Sequence, residues 1–293
     1  MRFTAFALSR AAAGITLGLS IATTLAAQSP FEPISASVAQ VEDQLGARVG
    51  VALLDTGTGQ TWFHRADERF PMNSTMKAPL CGAVLARNDA GELSLQELLP
   101  IRQTDIVSYA PVTEQQVGNE LTISEFCFAT LDISDNTAAN LLIDRLGGPN
   151  EVTKFLRKIG DPVSRLDRRE PELNIFNKND PRDTTSPAAM AKTLRALLTE
   201  DTLSPSSQDQ LIEWMSHGGV TGDLLRDDAP ADWAIADKSG AGKYSRNIIA
   251  LVTPSGREPW IVSIFISEAK VDFETRNAAL KELGASAIRV MQQ

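Results

Sequence analysis

The sequence predicts an α/β protein, an α+β sandwich in which an antiparallel sheet built from both ends of the chain carries an inserted all-helical lobe. Strand-like stretches occur within residues 48–65 and again within 234–266, whereas helical periodicity dominates between 74 and 217. The strands follow one another closely enough to be joined by hairpins, which makes the sheet antiparallel. Clefts between such lobes are favoured ligand sites, so we expect the active site there.

The N-terminal part of the sheet lobe begins with an amphipathic helix over 33–45. A strand over 48–54, a turn at 55–59 and a partner strand over 61–65 then form a hairpin. Helix-like stretches follow at 75–87, 94–98, 123–131, 137–146, 152–159, 187–198 and 206–215. Strands return at 234–238, 247–253 and 260–266, before a last helix over about 274–291. The sheet lobe therefore covers about 33–70 and 218–293, and the helical lobe about 71–217.

The first residues have the pattern of a secretory signal. Arg2 and Arg10 flank the start, residues 11–25 are mostly apolar, and residues 24–27 supply small side chains for cleavage. The alternative is a membrane anchor, but the stretch is short and contains glycine, serine and threonine. We expect a signal peptide at 1–27 and a single exported domain at 28–293, periplasmic or secreted and without a membrane attachment. No large apolar helix face requires a partner, so we expect a monomer.

The composition is that of an ordinary globular protein, with 43% hydrophobic and 22% charged residues. Acidic residues outnumber basic ones by 37 to 28, which gives a formal charge of −9. This balance argues against nucleic acid or an anionic membrane as a partner. The two cysteines lack paired spacing and the acidic residues do not cluster with histidine, so we expect no metal and no cofactor.

Cys81 and Cys127 are the only cysteines of the chain. In an exported protein, two cysteines suggest one disulfide. Closing that loop would stabilise the fold by roughly 4 kcal/mol at most. The alternative is a pair of free cysteines that pack in the core as small apolar side chains.

Ser74 and Lys77 lie three residues apart at the head of an apolar helical run. Side chains at this spacing lie on one helix face, so the Lys77 amine can reach the Ser74 hydroxyl directly. A serine needs a base to become a nucleophile, and a desolvated lysine can act as one. The alternative is an ordinary helix start with Ser74 as the N-cap.

Two further short motifs carry groups suited to a polar substrate. Ser134-Asp135-Asn136 offers a hydroxyl for proton relay and an amide that can orient a carbonyl, although these residue types are also common N-caps. Lys238-Ser239-Gly240 offers a cation and a hydroxyl for a carboxylate, and the glycine lets a ligand approach the strand. The alternative for the second motif is a strand that runs into a turn.

Glu170 and Asn174 lie four residues apart in a segment with little helical character. A carboxylate and an amide at this spacing can hold one water molecule, which the hydrolysis of an ester intermediate requires. The alternative is a solvated acidic loop.

Taken together, the three motifs and the stretches 165–174 and 235–242 resemble the class A serine β-lactamases and penicillin-binding proteins. The resemblance runs from about Pro33 to the C-terminus. The element formed by Glu170 and Asn174 distinguishes class A β-lactamases from penicillin-binding proteins. The resemblance implies hydrolysis of the β-lactam amide of penicillins and some cephalosporins, a small-molecule substrate, and antibiotic resistance as the outcome.

The resemblance also implies a role for each matching residue. Ser74 would form an acyl-enzyme, with the N–H groups of Ser74 and Ala241 as the oxyanion hole. Ser134 would give a proton to the lactam nitrogen, and Glu170 would activate the water that hydrolyses the ester. Either Lys77 or Glu170 would activate Ser74. The matching substrate-binding residues are Tyr109, Asn136, Asn174, Lys238, Ser239, Gly240 and Arg246.

Structural features of the family map onto further residues. An Arg168–Asp183 ion pair would hold the loop that carries the glutamate, and the Glu170–Pro171 bond would be cis. Cys81 and Cys127 match a bridge found in part of the family.

Near Arg246 the chain is one residue shorter than in common relatives, so Arg276 is a second candidate for the substrate carboxylate. Two other functions share Ser74, Lys77 and Ser134: a D,D-peptidase of the penicillin-binding class and a β-lactam sensor that stays acylated. The peptidase would lack a deacylating glutamate, and such sensors usually need a membrane tether.

Overall fold

The computed structural model describes residues 1–5 and 29–293. Apart from residues 1–5, the predicted signal sequence lies outside the described residues. Within the described ranges, no helix is long and apolar enough to span a membrane. In the same ranges, no group of three or more histidine, cysteine, aspartate or glutamate side chains is placed to hold a metal ion.

The strands of the described chain form one five-stranded sheet and two small two-stranded ones. In chain order the strands are β1 Arg48–Asp55, β2 Thr61–His64, β3 Phe70–Pro71, β4 Leu98–Pro100, β5 Glu120–Thr122, β6 Thr184–Thr185, β7 Ala234–Gly242, β8 Ser245–Thr253 and β9 Trp260–Ser267. The large sheet has the order β2-β1-β9-β8-β7, and every neighbouring pair in it is antiparallel. The predicted antiparallel sheet from both chain ends is therefore confirmed.

Eight α-helices occur in the described part of the chain, and six of them lie between β2 and β7. In chain order the helices are α1 Glu32–Leu45, α2 Lys77–Asp89, α3 Ile123–Phe128, α4 Asn136–Leu146, α5 Pro149–Lys158, α6 Pro187–Thr199, α7 Pro205–Met215 and α8 Phe273–Met291. The predicted mixed fold, with helices inserted into the sheet, is confirmed.

The sheet separates two hydrophobic cores. Every residue of β9 is buried. Because successive side chains of a strand point to opposite faces, both faces of the sheet are covered at β9. Ile261 and Phe265 pack with the inserted helices, whereas Ile264 and Ile266 pack with α1 and α8. The sheet is thus the middle layer between α1 and α8 on one side and the inserted helices on the other.

The structure corrects two of the predicted helices. Residues 94–98 form a turn rather than a helix, because the Ser94 hydroxyl accepts the N–H of Gln96 and β4 begins at Leu98. The helix predicted over 123–131 is α-helical only to Phe128. It continues as a π-helix over Ala129–Ile133, which ends at Ser134 in a left-handed conformation.

The pair β3–β6 brings distant parts of the chain to the start of α2. Phe70 pairs with Thr185 and Pro71 with Thr184. The next N–H, that of Met72, donates to the carbonyl of Asp183 at 3.0 Å. The loop that ends at Asp183 is thereby fixed beside Ser74.

Candidate active site

Ser74 lies in the 3₁₀ turn Asn73–Met76, which leads directly into α2. Strand β7 passes close to this turn at Gly240. A β-carbon at Gly240 would lie 2.9 Å from the carbonyl oxygen of Met72 and 3.2 Å from the Ser74 nitrogen. Only glycine permits this approach, so Gly240 places the strand edge against the predicted nucleophile.

A cavity of about 340 Å³ opens at this contact. Residues from the nucleophile turn, the π-helix end, strand β7 and the start of α8 surround it. Its lining is Ser74, Tyr109, Ser134, Asn136, Asn174, Val220, Ser239, Gly240, Ala241, Arg246 and Phe273. Most of the predicted site residues therefore meet in one cleft.

Lys77 is fully buried behind this lining. Its ammonium donates to the Ser134 carbonyl at 2.8 Å, to the Ser134 hydroxyl at 3.1 Å and to Asn136 Oδ1 at 2.6 Å. Glu170 Oε1 lies 3.4 Å from the same nitrogen. Burial lowers the pKa of Lys77 below its ordinary value, while the Glu170 carboxylate acts in the opposite direction.

The direct contact predicted between Lys77 and Ser74 is not among the hydrogen bonds of the described residues. An ammonium has three N–H donors, and here those donors face Ser134 and Asn136. Ser74 and Lys77 lie near one another, but the ammonium donates its hydrogen bonds to Ser134 and Asn136 instead.

Ser134-Asp135-Asn136 serves the fold and the cleft at the same time. Asp135 caps α4 by accepting the Ala138 N–H at 2.8 Å, and it also accepts the Thr113 N–H at 2.9 Å. The cap interpretation is therefore correct for Asp135. The side chains of Ser134 and Asn136 line the cavity instead, and the Asn136 amide donates to the Ser108 carbonyl at 2.9 Å.

Glu170 is buried, and its backbone is held from α4. Asn140 Nδ2 donates to the Glu170 carbonyl at 2.8 Å, while the Glu170 N–H donates to Asn140 Oδ1 at 2.9 Å. Glu170 Oε2 accepts from Asn174 Nδ2 at 2.6 Å. The Glu170–Pro171 bond is cis, as the resemblance implied. A carboxylate and an amide thus meet beside the cavity, whose lining includes Asn174, as their spacing predicted.

The ion pair implied for the glutamate loop, residues 165–183, is present. Arg168 Nε lies 2.5 Å from Asp183 Oδ2, and the Asp183 side chain is almost completely buried. Asp183 Oδ1 also accepts the N–H groups of Asp167 at 2.7 Å and Arg168 at 3.0 Å. One buried carboxylate therefore joins the two ends of the loop.

Lys238 is fully buried and lies behind the cavity rather than in its lining. Its ammonium donates to the Ser239 carbonyl at 3.0 Å. Burial, with the nearby charge of Lys77, lowers the pKa of Lys238 well below its ordinary value. Lys238, the cation expected in this motif, therefore lies behind Ser239 and does not itself line the cavity.

Arg246 and Arg276 have different positions. Arg246 lines the cavity, where its Nε donates to Asn277 Oδ1 at 2.9 Å and its guanidinium lies 5.2 Å from the centre of the Phe273 ring. Burial lowers the pKa of Arg246 to about 10. Arg276 instead donates to the carbonyls of Val271 and Gly242 and is absent from the described lining. The geometry therefore favours Arg246 for an anionic substrate.

Two exposed aromatic rings, Tyr109 and Phe273, belong to the cavity wall. Tyr109 was expected there, and its carbonyl accepts the Asn136 N–H at 3.0 Å. Phe273 and Val220 were not expected among the site residues, because no local sequence pattern distinguishes them. The role of Asn140 was also missed, although it follows Asn136 by one helical turn.

The predicted disulfide is not present in the structure. Cys81 and Cys127 are free and buried, and the Cys81 sulfur lies 3.9 Å from the Cys127 carbonyl oxygen. Both belong to the core between the inserted helices, where they pack as small apolar side chains. Burial raises the pKa of the Cys127 thiol well above its ordinary value, which keeps it protonated.

Known proteins share this arrangement over almost the whole chain. A model of the β-lactamase enzyme family matches residues 33–291. A β-lactamase from Rhodobacter capsulatus is 57% identical over 293 residues, which covers 100% of each chain. The chain belongs to the β-lactamase enzyme family.

Solved structures identify the class of this β-lactamase. An ancestral class A β-lactamase is 49% identical, with a TM-score of 0.84 over 87% of this chain and 98% of its own. A β-lactamase from Xanthomonas campestris pv. campestris is 45% identical, with a TM-score of 0.86 over 90% of this chain and 99% of its own. The predicted membership of the class A serine β-lactamases is confirmed.

Proposed function

We propose that this β-lactamase opens the amide of penicillins and some cephalosporins through an ester on Ser74, which a water activated by Glu170 then hydrolyses. The observation that carries the proposal is the buried Glu170 carboxylate, which lies between Lys77 and Asn174 beside the Ser74 cavity. If this chain were a penicillin-binding protein or a sensor, it would need Ser74, Lys77 and Ser134 but not the Glu170 carboxylate.

In the first step, the Ser74 oxygen attacks the lactam carbonyl. The N–H groups of Ser74 and Ala241, two residues of the cavity wall, stabilise the oxyanion. One such donor contributes roughly 3–4 kcal/mol to transition-state binding in other enzymes. Ser134 passes a proton to the lactam nitrogen as the ring bond breaks, and this proton is replaced through the Lys77 ammonium, which donates to the Ser134 hydroxyl.

For the base of the first step, the hydrogen bonds favour Glu170. The Lys77 ammonium donates to acceptors on Ser134 and Asn136, so it enters this step as a cation that supplies a proton to Ser134 rather than taking one from Ser74. Glu170 Oε1 accepts no hydrogen bond from the described residues and is therefore free to take a proton from Ser74 through a bridging water. Glu170 then returns this proton to Lys77, whose nitrogen lies 3.4 Å from Glu170 Oε1, and so restores the ammonium that supplied Ser134. In the second step the same carboxylate removes a proton from the water that attacks the ester, and that proton goes to the Ser74 oxygen as the ester bond breaks.

The substrate carboxylate binds beside strand β7. Arg246 and Ser239 line that side of the cavity, and Lys238 adds a buried positive charge behind them. Asn136 and the backbone of Gly240 hold the amide side of the substrate. Tyr109 and Phe273 flank the ring system as aromatic walls.

The experiment is steady-state hydrolysis of benzylpenicillin and a chromogenic cephalosporin, with intact-mass analysis of the exported protein. We expect turnover with little adduct. The Glu170→Ala variant should still acylate, although more slowly, because its nucleophile Ser74 is intact. Its deacylation should slow more, by at least about 100-fold, because the attacking water then has no general base. An acyl adduct should then accumulate.

The exposed neighbour Glu172 provides the matched control, and Glu172→Ala should turn over normally. A stable adduct on the unmodified protein would instead support a penicillin-binding or sensor protein. The intact mass also tests the proposed loss of residues 1–27 on export, and native mass spectrometry tests the proposed monomeric state. A single cooperative unfolding transition tests the proposal of one domain at 28–293 with a sheet lobe and a helical lobe.

A further inference from the structure

Asn73 precedes Ser74 and lies completely buried between the two sides of the cleft. Its backbone is in the left-handed region at φ 49°, which asparagine tolerates better than most residues. Its Oδ1 accepts from the Ser245 hydroxyl at 2.7 Å and from Asn247 Nδ2 at 3.2 Å. Both donors belong to β8, the strand that carries Arg246.

The other end of the Asn73 amide faces the glutamate loop. Asn73 Nδ2 donates to Asn174 Oδ1 at 2.9 Å, and Asn174 Nδ2 in turn donates to Glu170 Oε2 at 2.6 Å. A side-chain amide has one accepting and one donating end, so a donor on its oxygen fixes which end points the other way. Asn73 therefore keeps the donating end of Asn174 against the Glu170 carboxylate.

The space beside Asn73 is closed from strand β7. A β-carbon at Gly242 would lie 2.7 Å from Asn73 Nδ2 and 2.7 Å from the Ser245 hydroxyl oxygen. The Asn73 amide thus has one position, between the end of β7, the start of β8 and Asn174. A continuous row of hydrogen bonds runs from β8 through Asn73 and Asn174 to Glu170.

We propose that Asn73 is a positioning residue for deacylation. Through Asn174 it holds the Glu170 carboxylate at the Ser74 ester, although Asn73 itself is not among the described residues that line the cavity. Changing the Asn73 amide should slow ester hydrolysis more than ester formation, because the nucleophile of hydrolysis is the water that Glu170 activates, whereas the nucleophile of ester formation is Ser74 itself. This inference rests on the proposed role of Glu170.

The first test is Asn73→Asp. The new side chain has the same shape and still accepts from Ser245 and Asn247, but it presents an acceptor to Asn174 Oδ1. We expect deacylation to slow by about 10- to 100-fold, the size of a roughly 1 Å misplacement. kcat and KM for benzylpenicillin should fall together, and the acyl-enzyme should accumulate during turnover. Asn119→Asp makes the same change at an exposed position and should leave both constants unchanged.

The second test separates positioning from a general structural effect. If Asn73 acts only through Asn174, Asn73→Asp should add nothing to the slow deacylation of an Asn174→Ala background. Asn73→Gly is the second variant, to be used if Asn73→Asp does not fold. It removes the side-chain amide without adding a charge, and glycine tolerates the left-handed backbone of this position.

Equal losses in acylation and deacylation, or additive effects in the double variant, would overturn the inference. Glu170→Ala measured in parallel distinguishes the two proposals. If that variant accumulates no adduct, the proposed function fails. If it accumulates adduct and the Asn73 variants do not, only the positioning role fails.

Discussion

At the scale of single residues, the cleft is built over two buried ammonium groups. Lys77 and Lys238 are both fully buried, and burying an ion costs several kcal/mol in a real protein. Acceptors on Ser134 and Asn136, together with Glu170, offset that cost for Lys77. Lys238 donates to a single carbonyl, that of Ser239. The two buried lysines thus lower the stability of the fold at the place where their positive charge would favour the anionic substrate proposed above.

Substitution of Arg246 and of Arg276 should affect activity and stability differently. Arg246 faces the cavity, whereas Arg276 donates to backbone carbonyls. A charge-assisted hydrogen bond contributes about 1.5–3 kcal/mol, so Arg246→Ala should lower kcat/KM for benzylpenicillin by roughly 10- to 150-fold. Arg276→Ala should lower it less and should mainly reduce the melting temperature.

Steady-state kinetics and thermal unfolding of both variants check this prediction. Arg246→Lys keeps the charge but loses the planar fork, so kcat/KM should recover in part. A larger loss of kcat/KM in the Arg276 variant than in the Arg246 variant would reverse the assignment.

Short motifs allowed most of the cleft residues to be predicted from the sequence. Ser74, Ser134 and Ser239 are each recognisable from their neighbours, and the cavity contains all of them. Phe273 and Asn73 were not recognisable in this way. Their positions depend on contacts with β8 and with the glutamate loop, which are distant in sequence. A pattern that spans a few residues cannot encode such contacts.

At the scale of elements, the glutamate loop is the least regular part of the site. A few polar contacts hold it rather than a repeating backbone pattern, and Asp183 supplies the central ones. Arg168→Ala would leave the buried Asp183 carboxylate without its cation, a change that costs about 3 kcal/mol. We expect faster proteolysis within 165–183 and a roughly 10- to 100-fold lower kcat, with the acyl-enzyme accumulating.

Arg182 provides a control within the same loop. Its ion pair with Asp180 is exposed, and such pairs contribute at most about 1 kcal/mol. Arg182→Ala should therefore change neither proteolysis nor turnover. Limited proteolysis and single-turnover mass spectrometry measure both effects. A normal loop in Arg168→Ala would show that the remaining hydrogen bonds are sufficient.

Long elements were predicted better than short ones because their signal is a period repeated several times. The bounds of α1, α4, α6 and α7 lie within one or two residues of the predicted ranges. Strands of two or three residues, such as β3 and β6, are too short to show a period. The π-helix at Ala129–Ile133 was also beyond prediction, since its composition does not differ from that of an α-helix.

At the scale of the whole molecule, the two ends of the described domain meet. The side chain of Gln293 donates to the Pro30 carbonyl at 3.2 Å, and α1 packs with α8 on the outer face of the sheet. Adjacent ends favour circular permutation. In the permutant, a linker of about six glycine and serine residues joins Gln293 to Ser29, and the new chain ends lie between Glu200 and Asp201. Because Glu200 and Asp201 are exposed, activity should stay within about threefold of that of the unpermuted protein.

Benzylpenicillin turnover and thermal unfolding of this permutant test the prediction. A second permutant opened between Leu280 and Lys281, inside α8, is the matched control and should not fold. Loss of activity in the first permutant would mean that the link between α6 and α7 is part of the site's support. Equal behaviour of the two permutants would contradict the packing described for α8.

The pairing of β1 with β9 also determines when this protein can fold. Arg48 pairs with Ser267 and Asp55 with Trp260, so β9, the second neighbour of β1, is made long after β1 itself. At about 5–20 residues per second, synthesis of the intervening chain takes roughly 10–40 s. During that interval β1 has only the short strand β2 beside it, and a lone hairpin is marginally stable. The large sheet therefore cannot be completed, nor the inserted helices covered by it, until β9 has been made.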